Sequence, residues 1–139
     1  MSTDRKIDAL AATPLFAGCS PAQLEAIANV TEFVTINDGH VVVREGHIGH
    51  DMLILTAGKA EVQVGDRIVA TVGAGDVVGE LGVVDGQRAS ATVTAIDGVE
   101  GFLVPRRGFS PLLDADPAMA RPLLDAVVAK LRATDADLH

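Results

Sequence analysis

The sequence predicts a mainly β fold with flanking helices, in the form of an eight-stranded antiparallel jelly roll, either a sandwich or a barrel. Residues 31–104 contain short runs rich in Val, Ile and Thr, separated by turn signals such as Asp38-Gly39. This spacing is typical of antiparallel sheets. Residues 1–30 and 105–139 instead carry apolar side chains at helical spacing. An up-and-down barrel would not account for helices at both ends.

The N-terminal segment, residues 1–30, is predicted to be helical from residue 7 onward. Ile7 and Leu10 share one helical face, and Ser20-Pro21-Ala22-Gln23 is typical of a helix start, with an N-cap serine, a proline at N1 and a glutamine at N3. Cys19 is the single cysteine, which excludes an internal disulfide and suits a reducing compartment. We expect it to be a small buried apolar side chain.

Residues 31–104 are predicted to form the β region. Residues 60–64 and 67–72 flank Gly65-Asp66, which is a good two-residue hairpin turn. The run at 52–55 lacks alternation, so we expect it to be buried on both faces.

After Pro105 the pattern becomes helical again. Ser110-Pro111 is predicted to start a short helix and Asp116-Pro117 a longer one. Pro122 falls inside the longer pattern, where it must kink the helix or divide it.

The candidate ligand-binding segment begins at Gly79. Glycine at positions 79 and 82 would let a ligand approach the backbone closely. The amides of Leu81 and Gly82, at the start of a one-turn helix, could point at a phosphate oxygen. Glu80 would repel a phosphate, so its expected partner is a donor such as a ribose hydroxyl. Arg88 would supply the counter-charge, so the segment suits a small anionic sugar phosphate.

Gly79-Glu80-Leu81 followed by Ser90-Ala91-Thr92-Val93 resembles the phosphate-binding cassette of cyclic nucleotide-binding domains, with the cassette at residues 79–93. Such domains are the sensor modules of the catabolite activator protein family, of the regulatory subunits of cyclic-AMP-dependent protein kinase and of cyclic-nucleotide-gated channels. The resemblance runs from about Leu10 to about Leu131. It implies a regulatory domain rather than an enzyme, with cyclic AMP favoured over cyclic GMP as ligand and no other cofactor.

The resemblance also implies roles for individual residues. The amides of the cassette helix and Ser90 would hold the cyclic phosphate, Arg88 would neutralise it, and Glu80 would bind the ribose 2′-hydroxyl. The predicted ligand-binding residues are Gly79, Glu80, Leu81, Gly82, Arg88, Ala89, Ser90 and Thr92.

Ala89 departs from the family pattern. The phosphate-pairing arginine is expected immediately before Ser90, where this chain has alanine, and Arg88 stands one residue early. A one-residue slip in an extended segment turns a side chain to the opposite face. Two interpretations stay open: a bulge brings Arg88 back to the phosphate, or the pairing arginine is lost. In the second case binding could survive at lower affinity through the amides, Ser90 and Glu80. The alternative function, favoured by Ala89, is a degenerate fold that binds no nucleotide and serves as a protein-interaction or oligomerisation module.

Charge and composition narrow the expected partners. The net charge is −8 and the longest basic run is Arg106-Arg107, which disfavours nucleic-acid binding. No stretch approaches about 18 apolar residues and no signal peptide is recognisable, so we expect a cytoplasmic protein without a membrane span.

The resemblance also implies how the chain is organised. We expect a free-standing or excised sensor, with no catalytic or DNA-binding domain attached, that signals to an unidentified effector protein. The apolar stripe of the last helix could simply close the sandwich. Alternatively, part of the helix could fold over the ligand as a lid, with Leu131 and Leu138 as apolar caps over a purine, and pair with a second copy in a homodimer.

His47 and His50 offer a third interpretation, a metal-dependent cupin-like enzyme. Their spacing is His-x-x-His, and residues 52–60 contain no carboxylate, so three convergent ligands are lacking. Solvated loop histidines are the favoured interpretation.

Overall fold

The computed structural model describes residues 3–48 and 51–138. The N-terminal helices are α1 (Thr3–Ala11), a 3-10 turn (Pro14–Phe16) and α2 (Pro21–Val30). The strands are β1 (Glu32–Ile36), β2 (Val41–Val43), β3 (Asp51–Val64), β4 (Arg67–Gly73), β5 (Val77–Val78) and β6 (Thr92–Pro105), with the short helix α3 (Glu80–Asp85) between β5 and β6. The C-terminal elements are α4 (Arg106–Ala115), a 3-10 turn (Pro117–Met119) and α5 (Ala120–Leu138).

The helix start at Ser20 confirms its prediction. Ser20 Oγ accepts from the backbone N–H of Gln23 at 3.2 Å, and Gln23 Oε1 accepts from the backbone N–H of Ser20 at 2.9 Å. This reciprocal pair satisfies two amides that the helix geometry leaves without partners. Gln23 Nε2 also donates to Asp116 Oδ2 at 3.2 Å, which ties α2 to the C-terminal elements.

One antiparallel sheet with six strands forms in the described part of the chain, rather than the predicted eight-stranded jelly roll. The main order is β1-β6-β3-β4, with β2 paired to β6 and β5 to β3. The difference arises because β3 and β6 each run for 14 residues through positions that resemble turns. Gly58 has a φ of +84°, and a Cβ there would lie 2.4 Å from the carbonyl oxygens of Asp97 and Gly98. Gly58 in β3 and Gly98 in β6 thus lie where two long paired strands bend, and not at turns between four short strands.

The β3–β4 hairpin confirms the predicted turn at Gly65-Asp66, since Val64 pairs with Arg67 across it. The run at 52–55 is buried on both faces, as predicted. Because side chains alternate along a strand, Met52 and Ile54 enter one apolar cluster, whereas Leu53 and Leu55 enter another.

We call these two clusters the helix-side cluster and the strand-side cluster. The buried members of the helix-side cluster are Leu10, Leu15, Phe16, Cys19, Leu24, Ile27, Ala28, Met52, Ile54, Val83, Phe102, Val104, Phe109, Met119 and Leu123. Those of the strand-side cluster are Leu53, Leu55, Ala60, Val78, Val93, Ala95 and Val99. The sheet therefore separates a core shared with the helices from a smaller core on its other face.

The C-terminal helices correct one prediction and confirm another. The first helix begins at Arg106 rather than at Ser110, and Pro111 lies inside it. Pro105 is the last extended residue of β6 and directly precedes the helix, and Phe109 in the first helical turn is fully buried, so tertiary packing overrides the local start signal at Ser110. Pro122 does divide its pattern: a 3-10 turn precedes it, and it occupies the first turn of α5, where a missing N–H costs little.

Within the two described ranges, no helix is both long enough and apolar enough to cross a lipid bilayer.

Candidate functional site

A cavity of about 630 Å³ opens between α3, β2, the loop after β2 and residues 87–91. Its apolar wall comes from the strand-side cluster and its neighbours, namely Val42, Val43, Val62, Val72, Val78 and Val93. The predicted site residues that line it are Gly79, Glu80, Leu81, Gly82, Arg88, Ala89 and Ser90. A cavity of this size accommodates a small ligand.

Thr92 is the predicted contact residue that does not line the cavity. Its Oγ1 accepts from the backbone N–H of Glu45 at 3.0 Å, so in this structure it joins β6 to the loop after β2.

Gly79 sets the entry of α3. It has a φ of +77°, and a Cβ there would lie 2.5 Å from the carbonyl oxygen of Asp51. Both the left-handed backbone and the close contact favour glycine. The chain then turns at once into α3, where Val83 N–H donates to Gly79 O at 3.3 Å. The amides of Leu81 and Gly82 belong to this first turn, and amides at that position of a helix are suited to an anionic oxygen.

Glu80 and Leu81 place unlike side chains at the cavity. Glu80 is half-buried, and it provides a carboxylate beside the helix amides. The Leu81 side chain is 46% exposed, which leaves an apolar surface available to a bound molecule.

Arg88 lies at the cavity, and its guanidinium is held by the loop after β2. Nη1 donates to the carbonyl oxygen of Gly46 at 2.7 Å. An isolated antiparallel bridge joins Arg88 to Ile48. One residue on, Ala89 N–H donates to His47 O at 2.8 Å, and Gly46 N–H donates to Ala89 O at 2.9 Å. The displaced arginine and the alanine that follows it are thus both fixed against residues 46–48.

Several ionisable residues at the cavity were not predicted as ligand contacts. Arg44 and His47 line it from the loop after β2, Asp51 from the start of β3, and Asp85 from the end of α3. No local pattern marks them, because the pairing of residues 46–48 with 88–89 that brings two of these segments together is non-local.

The metal interpretation gains no support from the described residues. Among positions 3–48 and 51–138, no group of three or more His, Cys, Asp or Glu could hold a metal ion. His47 lines the cavity, and His50 lies outside the described residues.

Cys19 lies in the helix-side cluster, away from the residues that line the cavity. Burial, and to a smaller extent the negative charge of Asp116, raises the pKa of its thiol above the ordinary value. A raised pKa disfavours the thiolate, and the burial of Cys19 confirms the prediction of a small buried apolar side chain.

The described side chains of α5 do not line the cavity. Leu123 packs into the helix-side cluster, whereas Leu124, Val128 and Leu131 are 58%, 38% and 63% exposed. Their spacing puts the three exposed side chains on one face of the helix. The side chain of Leu138, the second predicted cap, lies outside the described residues.

The part of the chain that lines the cavity matches a known protein family. The family model of the cyclic nucleotide-binding domain matches residues 33–116. This range contains the six strands apart from the first residue of β1, together with α3 and α4.

Three relatives show how far the similarity extends. A cyclic-GMP-dependent protein kinase of Eimeria tenella is 30% identical over 89 residues, which are 64% of this chain and 9% of the kinase. A CRP-like cAMP-activated global transcriptional regulator of Mycobacterium tuberculosis is 26% identical over 136 residues, 93% of this chain and 60% of the regulator. The crystal structure of the N-terminal domain of a transcriptional regulator from Streptomyces coelicolor A3(2) superposes with a TM-score of 0.77 at 29% identity, covering 93% of this chain and 96% of that one. The chain spans less than two thirds of the length of the two curated relatives.

Proposed function

The chain belongs to the cyclic nucleotide-binding domain family, and we propose that it is the sensor domain of a regulatory protein, with cyclic AMP as its ligand. The observation that carries this proposal is that Gly79 to Gly82 and Arg88 to Ser90 line one cavity of about 630 Å³. The similarity along 93% of the chain to a regulator described as cAMP-activated favours cyclic AMP. The relative described as cGMP-dependent matches a shorter part of the chain.

The cyclic phosphate is proposed to lie at the start of α3. The amides of Leu81 and Gly82, with the Ser90 hydroxyl, would donate to the phosphate oxygens, and the dipole of the first turn favours the negative charge. Arg88 would neutralise the phosphate through guanidinium donors other than the one that Gly46 O accepts. The Glu80 carboxylate would accept from the ribose 2′-hydroxyl.

The nucleobase is proposed to lie on the apolar part of the cavity. Valine side chains form this wall, and the exposed part of Leu81 adjoins it. Burying that surface under a purine would add a hydrophobic contribution to the polar contacts of the phosphate and the sugar.

The signal is proposed to leave the site through α3 and α4. A Cβ at Gly86, which ends α3, would lie 2.5 Å from Nη2 of Arg106, the first residue of α4. A shift of α3 on ligand binding would therefore reach the C-terminal helices directly. The ligand can bias that equilibrium only by as much as it prefers one state over the other.

The exposed apolar face of α5 is the proposed contact surface for a second copy or for the effector protein. Leu124, Val128 and Leu131 form that face. Sedimentation of the protein with and without cyclic AMP measures the association. A cytoplasmic location is part of the same proposal.

Isothermal titration of the purified protein with cyclic AMP and cyclic GMP tests the function. We compare the wild type with Glu80→Ala and Arg88→Ala, and use Glu25→Ala and Arg107→Ala as controls, because both control residues are exposed and lie away from the cavity. Each site variant should bind roughly ten- to a hundredfold more weakly, as expected for one charge-assisted hydrogen bond. The controls should bind like the wild type.

The second candidate function is a degenerate domain that binds no nucleotide and serves as an interaction module. The observation that favours it is the methyl side chain of Ala89 at the position where the family pattern has arginine. If millimolar cyclic nucleotide gives neither heat nor a thermal shift with the wild-type protein, this candidate replaces the sensor.

A further inference from the structure

Strand β6 lies between β2 and β3 at the end of the sheet that borders the cavity. Val93 of β6 pairs with Val43 of β2 on one side and with Val62 of β3 on the other. All three valines line the cavity. This part of the apolar wall is therefore built from three strands whose spacing is fixed by backbone pairing.

Pairing between these strands stops just beyond the row of valines. The last pair of β2 with β6 in this direction is Val43 with Val93, and the last pair of β3 with β6 is Gln63 with Thr92. The loop after β2 and the turn of the β3–β4 hairpin both extend past these pairs. The ladder of the sheet therefore does not fix the loop against the hairpin turn.

Glu45 connects the segments that lie past the end of this ladder. Its backbone N–H donates to Thr92 Oγ1 at 3.0 Å, and its Oε1 accepts from the backbone N–H of Gly65 at 2.9 Å. We call these two hydrogen bonds the Glu45 link. Through it, the loop after β2 is joined to the first residue of β6 and to the hairpin turn. Glu45, Thr92 and Gly65 themselves do not line the cavity.

The same loop is held on its other side by the segment that follows α3. Gly46 N–H donates to Ala89 O, and Ala89 N–H donates to His47 O. Residues 44–48 are exposed, so burial of apolar surface contributes little to the position of the loop. Its position therefore depends on two sets of hydrogen bonds, one to residues 88–89 and one to the sheet.

We propose that Glu45 is a positioning residue of the cavity, because its link holds the loop after β2 against the hairpin turn and so preorganises the cavity for its ligand. The inference rests on the proposed function, since it concerns the affinity of the same cavity. Arg44 and His47, which flank Glu45 in the sequence, line the cavity, and so does Val62, three residues before Gly65. Without the link, ligand binding would have to order the loop against the turn, and that ordering costs affinity.

The charge of Glu45 and its position predict opposite effects when the carboxylate is removed. A negative charge near a site for an anion opposes binding, so its removal alone would tighten the binding of a cyclic nucleotide. Loss of the acceptor for Gly65 N–H would weaken it. Glu45→Gln removes the charge but keeps a carbonyl oxygen that can accept this hydrogen bond, whereas Glu45→Ala removes both. The two variants therefore separate the two effects.

Isothermal titration with cyclic AMP compares wild type, Glu45→Gln, Glu45→Ala and the control Asp76→Ala. Asp76 is a matched carboxylate, because its Oδ2 accepts from the backbone N–H of Gly73 at 2.8 Å, but this bond spans only three residues of the chain. Asp76 is exposed and does not line the cavity. Glu45→Ala should bind roughly three- to tenfold more weakly than the wild type, as expected for one lost hydrogen bond. Glu45→Gln and Asp76→Ala should stay within about twofold of the wild type.

Three results overturn the proposal. Glu45→Ala could bind as tightly as the wild type or more tightly, which would leave only the effect of charge. Glu45→Gln could bind as weakly as Glu45→Ala, which would mean that the acceptor is not what matters. Asp76→Ala could be weakened equally, which would show a general effect of losing such a bond. Thermal unfolding curves verify that all variants are folded.

Amide hydrogen exchange followed by NMR tests the link without any ligand. In Glu45→Ala the amides of Gly65 and Gly46 should exchange faster than in the wild type, whereas in Asp76→Ala the faster amide should be that of Gly73. Unchanged exchange at Gly65 in Glu45→Ala overturns the proposal. If cyclic AMP binds to none of the four proteins while Gly65 and Gly46 respond as expected, the proposed function fails and the positioning of the loop by Glu45 is supported.

Discussion

The two faces of β3 serve different purposes. Met52 and Ile54 point into the helix-side cluster, where Phe16 and Phe109 lie with ring centroids 5.7 Å apart. Leu53 and Leu55 point into the strand-side cluster, whose other buried members are valines and alanines. Large side chains fill the first cluster, while the small ones of the second leave a cavity at its edge. The same strand thus packs against the helices on one face and contributes on the other to the cluster that borders the cavity.

The two regions also differ in how they are held. Local signals begin the helices of the first region, as at Ser20, and burial of apolar surface then stabilises their packing. The cavity depends on contacts between segments far apart in the chain, such as Gly46 with Ala89 and Glu45 with Thr92. A substitution in the first region should therefore change stability, and one in the second should change binding.

The largest effect is expected for Phe109→Ala. Phe109 is fully buried and contacts Phe16, so its truncation should lower the free energy of unfolding by about 3–5 kcal/mol. The matched apolar truncation at the cavity is Leu81→Ala, which should stay within about 0.5 kcal/mol because Leu81 is exposed. Urea unfolding of both variants measures the difference. Similar losses in the two would contradict the division of roles.

An intermediate effect is expected for Gly79→Ala. A left-handed alanine costs about 1–2 kcal/mol, and the contact with Asp51 O adds to that. Gly39→Ala separates the two contributions, since Gly39 has a φ of +88° but nothing within 4 Å of its Cβ position. Gly79→Ala should lose more stability than Gly39→Ala and should alone weaken cyclic AMP binding. Equal losses with equal affinities would mean that the close approach at the start of α3 is unimportant.

The smallest effect concerns Cys19 and alkaline pH. The pKa of its thiol is raised in the folded protein. As the pH increases above about 8.5, the thiol of the unfolded chain therefore loses its proton first. This deprotonation favours the unfolded chain, so the free energy of unfolding decreases. Wild type should therefore lose stability more steeply between pH 8 and 10 than Cys19→Ala, by at most about 1.4 kcal/mol per pH unit. Urea midpoints across this interval give both slopes. Parallel slopes would show that the thiol is not desolvated as its burial indicates.

Local signals accounted for part of the fold. The cap at Ser20, the turn at Gly65-Asp66 and the doubly buried run at 52–55 depend on neighbouring residues, and they were predicted. The number of strands was predicted wrongly, because a glycine such as Gly58 is typical of a turn but here lies within a long bent strand. Whether such a glycine ends a strand or bends it depends on the partner strand, which the local pattern does not reveal.

The same division between local patterns and non-local pairing holds for the candidate site. The residues from Gly79 to Gly82 lie together in sequence, so their pattern could be recognised in the sequence alone. Arg44 and His47 line the cavity but were not among the predicted contacts, because the pairing of their loop with Ala89 joins segments far apart in the sequence. Thr92 follows the family pattern, yet its hydroxyl oxygen accepts a hydrogen bond from the backbone N–H of Glu45 and the residue does not line the cavity.

The central claim is that a cyclic nucleotide binds in the cavity of the strand-side cluster. Titration of the ¹⁵N-labelled protein with cyclic AMP, followed by NMR, tests it residue by residue. The largest amide shifts should fall in three segments, residues 44–48, 79–82 and 88–90, and residues deep in the helix-side cluster such as Leu10 and Ile27 should shift little. Unchanged spectra at millimolar nucleotide, or largest shifts outside these three segments, would contradict the claim.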